Sequence, residues 1–165
     1  MTANGRIIKW LRFTITSTDT VRNGSFEIAR KIVTHQLRKM MPGKKILLID
    51  DEESILQTYG LLLEENGYGV VTAECGKKAL EEFASQSFDL VITDLTMPDV
   101  DGFTVIEEVK SASPTTPVIT FTGNGYGYKS VKAYLSLLGS CALIKKSCSN
   151  KVFISCVRNS LKTGT

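Results

Sequence analysis

From residue 45 onward the chain alternates short apolar runs with stretches of helical periodicity, five times over. "KILLI" (45–49) is followed by Ile55, Tyr59, Leu62 and Leu63 at helical spacing, with Ser54 and Gln57 placed as a capping box and Gly67 as the stop. "GVVTA" (69–73) precedes a stripe of Ala79, Leu80 and Phe83, and "FDLVIT" (88–93) precedes Phe103, Ile106 and Val109, ending before Pro114. "PVITF" (117–121) precedes Val131, Tyr134, Leu135 and Leu138, closed by Gly139. "CALI" (141–144) precedes Val152, Phe153, Cys156, Val157 and Leu161. Few folds accept this pattern. Strands that are apolar along their whole length need cover on both faces, and helices between successive strands supply it. The alternation predicts an α/β fold: a doubly wound, five-stranded parallel sheet with helices on both faces and right-handed crossovers.

Composition excludes several other classes. The 165 residues are 42% hydrophobic and 22% charged, enough apolar content for a sizeable core and too much for a disordered chain. No apolar run approaches the roughly 20 residues of a membrane span. Arg12 interrupts the one apolar patch near the N-terminus, which argues against a secretory signal. Cys75, Cys141, Cys148 and Cys156 form no C-x-x-C pair, and His35 is the single histidine, so a zinc site is not expected. The cysteines are expected to be reduced thiols of a cytoplasmic protein, three of them facing the core.

The net charge of +3 hides an asymmetry. Residues 1–45 hold ten Lys and Arg against two acids, a net +8, whereas residues 46–165 hold ten against fifteen, a net −5. The break falls near "MMPGKK", which predicts a basic N-terminal extension, residues 1–43, and a folded domain, residues 44–165. Within the extension, Ile28, Ile32, Val33, Leu37 and Met40 share one helical face, predicting a helix at about 24–41. His35 lies off that face and reads as solvated. The segment could be a partner-docking helix, a basic arm for nucleic acid or anionic membrane, or an appendage of little consequence.

In a parallel sheet the C-terminal ends of all strands lie along one edge, where ligands bind. The residues just past these strands are Asp50 and Asp51, Asp94, Thr122, and Lys145 and Lys146. Residues far apart in sequence therefore converge on one crevice: three carboxylates, a hydroxyl and an ammonium. Acids at close quarters raise one another's cost of ionising, and a hard divalent cation relieves that cost. A carboxylate beside Mg²⁺ can act as a nucleophile toward phosphorus, giving an aspartyl phosphate. A lysine and a threonine could then contact the phosphoryl oxygens. Acids after a strand also suit the positive end of a helix, and Asp50, Asp51, Glu52 and Glu53 would all favour the first helix there. That reading leaves the register with Asp94 and Lys146 unexplained.

"DD" at 50–51, "DLTMPDVDG" at 94–102, "PVITFTG" at 117–123 and a lysine after the fifth strand fall in order at four strand ends. With these motifs, residues 44 to about 162 resemble a response-regulator receiver domain of two-component signalling, a flavodoxin-like fold. The resemblance implies that Asp94 is the phosphoacceptor, Asp51 a direct Mg²⁺ ligand and Asp50 a ligand through water. It further implies the backbone carbonyl of Thr96 as a metal ligand, Thr122 as the switch hydroxyl and Lys146 as the phosphate-pairing lysine. Implied partners are a histidine kinase or phosphotransfer protein and a downstream protein whose identity is open. Only "KTGT" follows the last helical pattern, so no C-terminal DNA-binding domain is expected and the chain reads as a stand-alone receiver that catalyses only its own phosphorylation and dephosphorylation.

Some positions depart from the family pattern. Ser147 stands where a proline usually follows the lysine, and Leu143 where an aromatic residue usually partners the switch threonine. By the resemblance, Thr96 and Asn124 occupy positions that in the family tune how quickly the acyl phosphate hydrolyses. Asp99 and Asp101, in "PDVDG", read as turn residues, "GNGYG" (123–127) as a strand-to-helix loop without P-loop spacing, and Lys145 as a solvated neighbour. Two alternatives compete with a switch. A Mg²⁺-dependent phosphohydrolase of haloacid-dehalogenase type would need a second acid where Thr96 stands, and a cap insertion. The intact acid cluster argues against a phosphate-insensitive scaffold receiver, while Leu143 and Ser147 leave room for one.

Overall fold

The computed structural model describes residues 43–123, 128–139 and 142–163. The predicted helix at 24–41, His35, Cys141 and most of the "GNGYG" loop lie outside the described residues.

Among the described residues, five strands and five helices alternate: β1 (Lys45–Ile49), α1 (Glu53–Glu65), β2 (Gly69–Ala73), α2 (Gly76–Ser85), β3 (Leu90–Thr93), α3 (Gly102–Ala112), β4 (Val118–Thr122), α4 (Tyr128–Leu137), β5 (Ala142–Lys145) and α5 (Asn150–Thr163). All strand pairs are parallel, in the order β2-β1-β3-β4-β5. The predicted fold class is therefore the observed one. Three strands differ slightly from their expected bounds, β4 running Val118–Thr122 instead of 117–121. β3 begins at Leu90; before it, Phe88 stacks on Phe83 and Asp89 is tied to Lys44 and Lys45. β5 runs on to Lys145, whose partner in register is Thr122.

Alternation along each strand divides the core into two layers. Leu47, Ile49, Val91 and Val118 face α2, α3 and α4, whose Ala79, Val105, Ile106, Val109 and Leu135 are buried against them. Ile46, Leu48, Leu90, Ile92 and Ile119 face α1 and α5, packing on Tyr59, Leu63, Phe153 and Val157. Burying one such side chain contributes about 1.5–3 kcal/mol, so both faces of the sheet are held mainly by apolar packing. Two residues assigned to apolar helix stripes are more exposed than that pattern implies. Val152 is 53% exposed, its place in the α5 layer taken by Ile154, and Tyr134 is 47% exposed with its ring against Phe103.

The helix ends correct one expectation. Ser54 and Gln57 do not form a capping box. α1 begins at Glu53, with Glu52 as an extended N-cap that makes no side-chain cap bond. Ser54 already lies in the first turn, and Gln57 donates to Glu53 Oε1 at 2.9 Å, a contact of i,i+4 type. The stops at Gly67 and Gly139 are as expected, with φ of 90° and 83°, values an L side chain rarely adopts.

Candidate phosphoacceptor site

The strand order reverses between β1 and β3: β1 is followed by a crossover to β2 on one side, and β2 by a crossover to β3 on the other. Just outside this switch point a crevice opens at the C-terminal edge. Asp50 and Asp51 follow β1 there, and Asp94 follows β3. Each offers an oxygen, and these oxygens all lie within 4.8 Å of one another. Asp50 is fully buried, Asp94 is 5% exposed and Asp51 is open to solvent.

Local backbone contacts hold the acids in place. The Asp94 N–H donates to the Ile49 carbonyl at 3.0 Å, and the Asp50 N–H to the Ala73 carbonyl at 3.2 Å. Asp94 Oδ1 accepts from the Leu95 N–H at 2.6 Å, and Asp50 Oδ1 from the Glu52 N–H at 3.0 Å. Gly102 makes a further requirement legible. A Cβ there would stand 1.9 Å from the Asp94 carbonyl oxygen, so only glycine lets the start of α3 sit directly on the Asp94 peptide. Asp101 caps that helix, accepting from the Thr104 N–H at 2.8 Å.

Lys146 reaches into the cluster from the end of β5. Its Nζ lies 2.8 Å from Asp94 Oδ2, 3.0 Å from Asp50 Oδ1 and 2.9 Å from Glu52 Oε1. Burial opposes the lysine's charge, but the hydrogen bonds to Asp50, Asp94 and Glu52 outweigh it and hold its pKa above the ordinary lysine range. Burial pushes the Asp50 carboxyl up, with Asp94's charge adding to it, while Lys146 and the Glu52 N–H oppose the rise. One lysine thus faces more negative charge than it can neutralise. Asp50 Oδ2 is ion-paired with the ammonium at 2.8 Å, and among the described residues no donor is aligned to hydrogen-bond it. A buried oxygen without a hydrogen bond, amid an all-oxygen donor set, fits a hard divalent cation.

The remaining expected residues take neighbouring positions. Thr122 ends β4, 7% exposed, and its carbonyl accepts from the Lys146 N–H at 2.8 Å. Thr96 is exposed in the loop two residues past Asp94, and Lys145 is exposed on the last position of β5. Asp99 is more than a turn residue: its carboxylate accepts from the Gly76 and Lys77 N–H groups, both at 3.3 Å, so the loop after β3 caps the N-terminus of α2. Backbone and Cys75 hydrogen bonds hold the Asp99 carboxyl below its usual range, that of the Val100 N–H foremost. Sequence reasoning missed two participants. Glu52 is the lysine's third acid, and the Tyr59 hydroxyl donates to the Lys146 carbonyl at 3.1 Å. Glu52 could have been suspected from its place beside the acid pair, whereas Tyr59 carried only a core signal.

The response regulator receiver domain family matches residues 46–158. The chain belongs to this family. It is 41% identical over 80 residues to the transcriptional regulatory protein GlrR of Escherichia coli, covering 48% of this chain and 18% of that protein. It is 31% identical over 116 residues to the response regulator SaeR of Staphylococcus epidermidis, covering 70% of this chain and 49% of that one. Among solved structures, a response regulator receiver domain protein from Clostridium thermocellum is 33% identical with a TM-score of 0.66, over 73% of this chain and 95% of that one. The chemotaxis response regulator CheY4 of Vibrio cholerae gives 28% and 0.65, over 71% and 98%. The chain thus spans from less than a fifth to about half of these two curated relatives, and nearly all of each compared receiver structure. Receiver domains are phosphoacceptor signalling switches of two-component systems, and the acid cluster of this receiver is consistent with a phosphorylation site.

Proposed function

We propose that Asp94 is the phosphoacceptor of this receiver and that its phosphorylation shifts the domain between two partner-binding states. The observation that carries the reading is the convergence of Asp50, Asp51 and Asp94 within 4.8 Å, with Lys146 Nζ 2.8 Å from Asp94. An Asp94 carboxylate oxygen attacks phosphorus in the donor, a bond from phosphorus to the donor's leaving atom breaks, and the leaving group departs with that electron pair. Water later hydrolyses the acyl phosphate and restores the carboxylate. Asp50, Asp51, Asp94 and the Thr96 carbonyl would hold Mg²⁺, which when bound supplies positive charge to the phosphoryl oxygens. Lys146 exchanges its contact with Asp94 for one with a phosphoryl oxygen, and the Thr122 hydroxyl donates to another. The Leu95 N–H, already bonded to Asp94 Oδ1, keeps the carboxylate oriented during transfer.

The donor in this reading is a histidine kinase or phosphotransfer protein, the phosphate is read by a downstream protein, and the protein acts in the cytoplasm, where its thiols stay reduced. The domain catalyses only its own phosphorylation and dephosphorylation. Residues 44–165 form the receiver and 1–43 a basic extension that could serve as a docking helix. Deleting residues 1–41 is expected to leave a folded, phosphorylatable domain.

Mass spectrometry after incubation with acetyl phosphate tests the central assignment. The wild type should gain one phosphoryl group with Mg²⁺ and none in chelator. An Asp94→Asn protein that gained the same mass would refute it.

A further inference from the structure

We infer that Tyr59 is a positioning residue that sets the reach of Lys146 toward the phosphoacceptor, through its hydroxyl's hydrogen bond to the Lys146 carbonyl. The inference rests on the phosphoacceptor reading above and deepens it.

The lysine sits at a turn closed by the Cys148 N–H on the Lys145 carbonyl at 2.9 Å. Ser147, unlike a proline, does not fix its own φ or restrict the lysine before it, so other contacts must hold the Lys146 backbone. Both of its peptide groups are bonded. Its N–H donates to the Thr122 carbonyl at 2.8 Å, and its carbonyl accepts from Tyr59 at 3.1 Å. The first bond ties the lysine to β4, the second to α1.

Tyr59 has little freedom to swing away. It is 7% exposed, and its ring meets Phe121 edge-on at 4.6 Å and Phe153 at 4.7 Å. Phe121 and Phe153 also contact one another, at 5.1 Å. The three rings join α1, β4 and α5 directly beneath the turn, and Phe121 immediately precedes Thr122. A rigid ring with one polar tip suits this task, since the ring locks into the core while the hydroxyl reaches the carbonyl. The same helix follows directly on Asp50 and Asp51. Tyr59 therefore references the lysine to the element that carries the acid pair, and a phosphoryl group on Asp94 must be met by an ammonium placed from that reference.

The test uses the full chain and compares Tyr59→Phe, which keeps the ring and removes the hydroxyl, with Lys146→Ala and the double variant. Beryllofluoride with Mg²⁺ serves as the phosphoryl probe, and Mg²⁺ alone is titrated separately. Tyr59→Phe should weaken beryllofluoride binding about fivefold, the loss of one hydrogen bond, and slow acetyl phosphate labelling similarly while leaving Mg²⁺ affinity unchanged. In the Lys146→Ala background, Tyr59→Phe should have no further effect on beryllofluoride affinity. An unchanged beryllofluoride affinity in Tyr59→Phe would overturn the inference. So would an equal loss of Mg²⁺ affinity, or a full additional loss in the double variant, since either marks a general structural role. A wild type that binds no beryllofluoride would instead overturn the phosphoacceptor reading itself.

Discussion

Lys146 Nζ and Asp94 Oδ2 are 2.8 Å apart, in a crevice where the lysine side chain is 13% exposed and that of Asp94 7%. The same ammonium serves Asp50, whose side chain is fully buried. Removing one partner of a buried ion pair costs more than the pair contributes, because the other charge is left without compensation. Lys146→Ala should therefore destabilise the domain by about 3 kcal/mol in chelator. Mg²⁺ should recover part of that loss, since a cation that binds only the folded state stabilises it by mass action. Denaturant melts of both proteins, with EDTA and with Mg²⁺, check this. Equal stabilities in EDTA would mean that the lysine does not neutralise the acids.

The sheet and the acid cluster were legible in the sequence because each depends on local pattern plus one topological rule. Apolar runs such as "KILLI" and "LVIT" show their strand character alone, and parallel strands bring Asp50, Asp51, Asp94 and Lys146 to one edge whatever the details of packing. The features that were missed depend on contacts distant in sequence. Tyr59 looks like any core residue of α1 until the turn after β5 folds over it. Asp99 looks like a turn residue until α2 places its first N–H groups against it. The supposed capping box failed for a local reason: the helix is entered from Glu52 as N-cap, two residues ahead of Ser54, and the Glu52 side chain goes to Lys146. Gly102 shows its meaning only against the Asp94 peptide.

Asp50 and Asp51 differ in their surroundings, and the difference should separate their roles. Asp50 already has Lys146 and the Glu52 N–H as partners, whereas Asp51 is exposed at the mouth of the cluster. Asp51→Ala should abolish Mg²⁺ binding with little effect on folding. Asp50→Ala should weaken binding only in part, by about 10- to 100-fold, as for a group that acts on the metal through an intermediary. Calorimetric titration ranks the two. Equal residual affinities would remove the distinction.

At the opposite edge of the sheet, Asp89 pins the start of β1. Its carboxylate accepts from Lys44 Nζ at 2.8 Å and from the Lys45 N–H at 2.7 Å. Burial opposes ionisation, but these two bonds outweigh it and hold the carboxyl below its usual value of 3.8. A carboxylate with a depressed folded-state pKa contributes stability above the unfolded value and loses it as pH falls through the folded one. Asp89→Asn should thus cost about 1 kcal/mol at pH 7, a figure discounted for partial exposure and salt screening. The difference from wild type should shrink below pH 3.8 and vanish once both states are protonated. Urea titrations at neutral and acid pH measure it, and a difference that stayed constant with pH would assign the loss to shape instead of charge.

The last prediction concerns how the phosphate is read. A modification shifts a two-state equilibrium only by the free energy with which it favours one state. Phosphate on Asp94 should draw in the Thr122 hydroxyl, and the chain after β4 leads directly into α4. Leu143, on β5, is partly buried and packs against the same core layer as Val131, Leu135 and Leu138 of α4 and the residue after it. A leucine can follow a vacated volume, but it lacks the ring area and polar tip that make an aromatic's inward and outward positions distinct to a partner. Its movement should therefore alter the β5 surface little, while α4, with Leu137 85% exposed and Tyr134 half-exposed, presents the larger change. Amide hydrogen exchange with and without beryllofluoride should show protection changes over 122–138 that exceed those over 142–145. The gain in partner affinity should accordingly be smaller than for a Leu143→Tyr variant, which restores ring and hydroxyl at that position. Changes confined to 142–145, with α4 unaltered, would place the readout on the fifth strand and defeat this prediction.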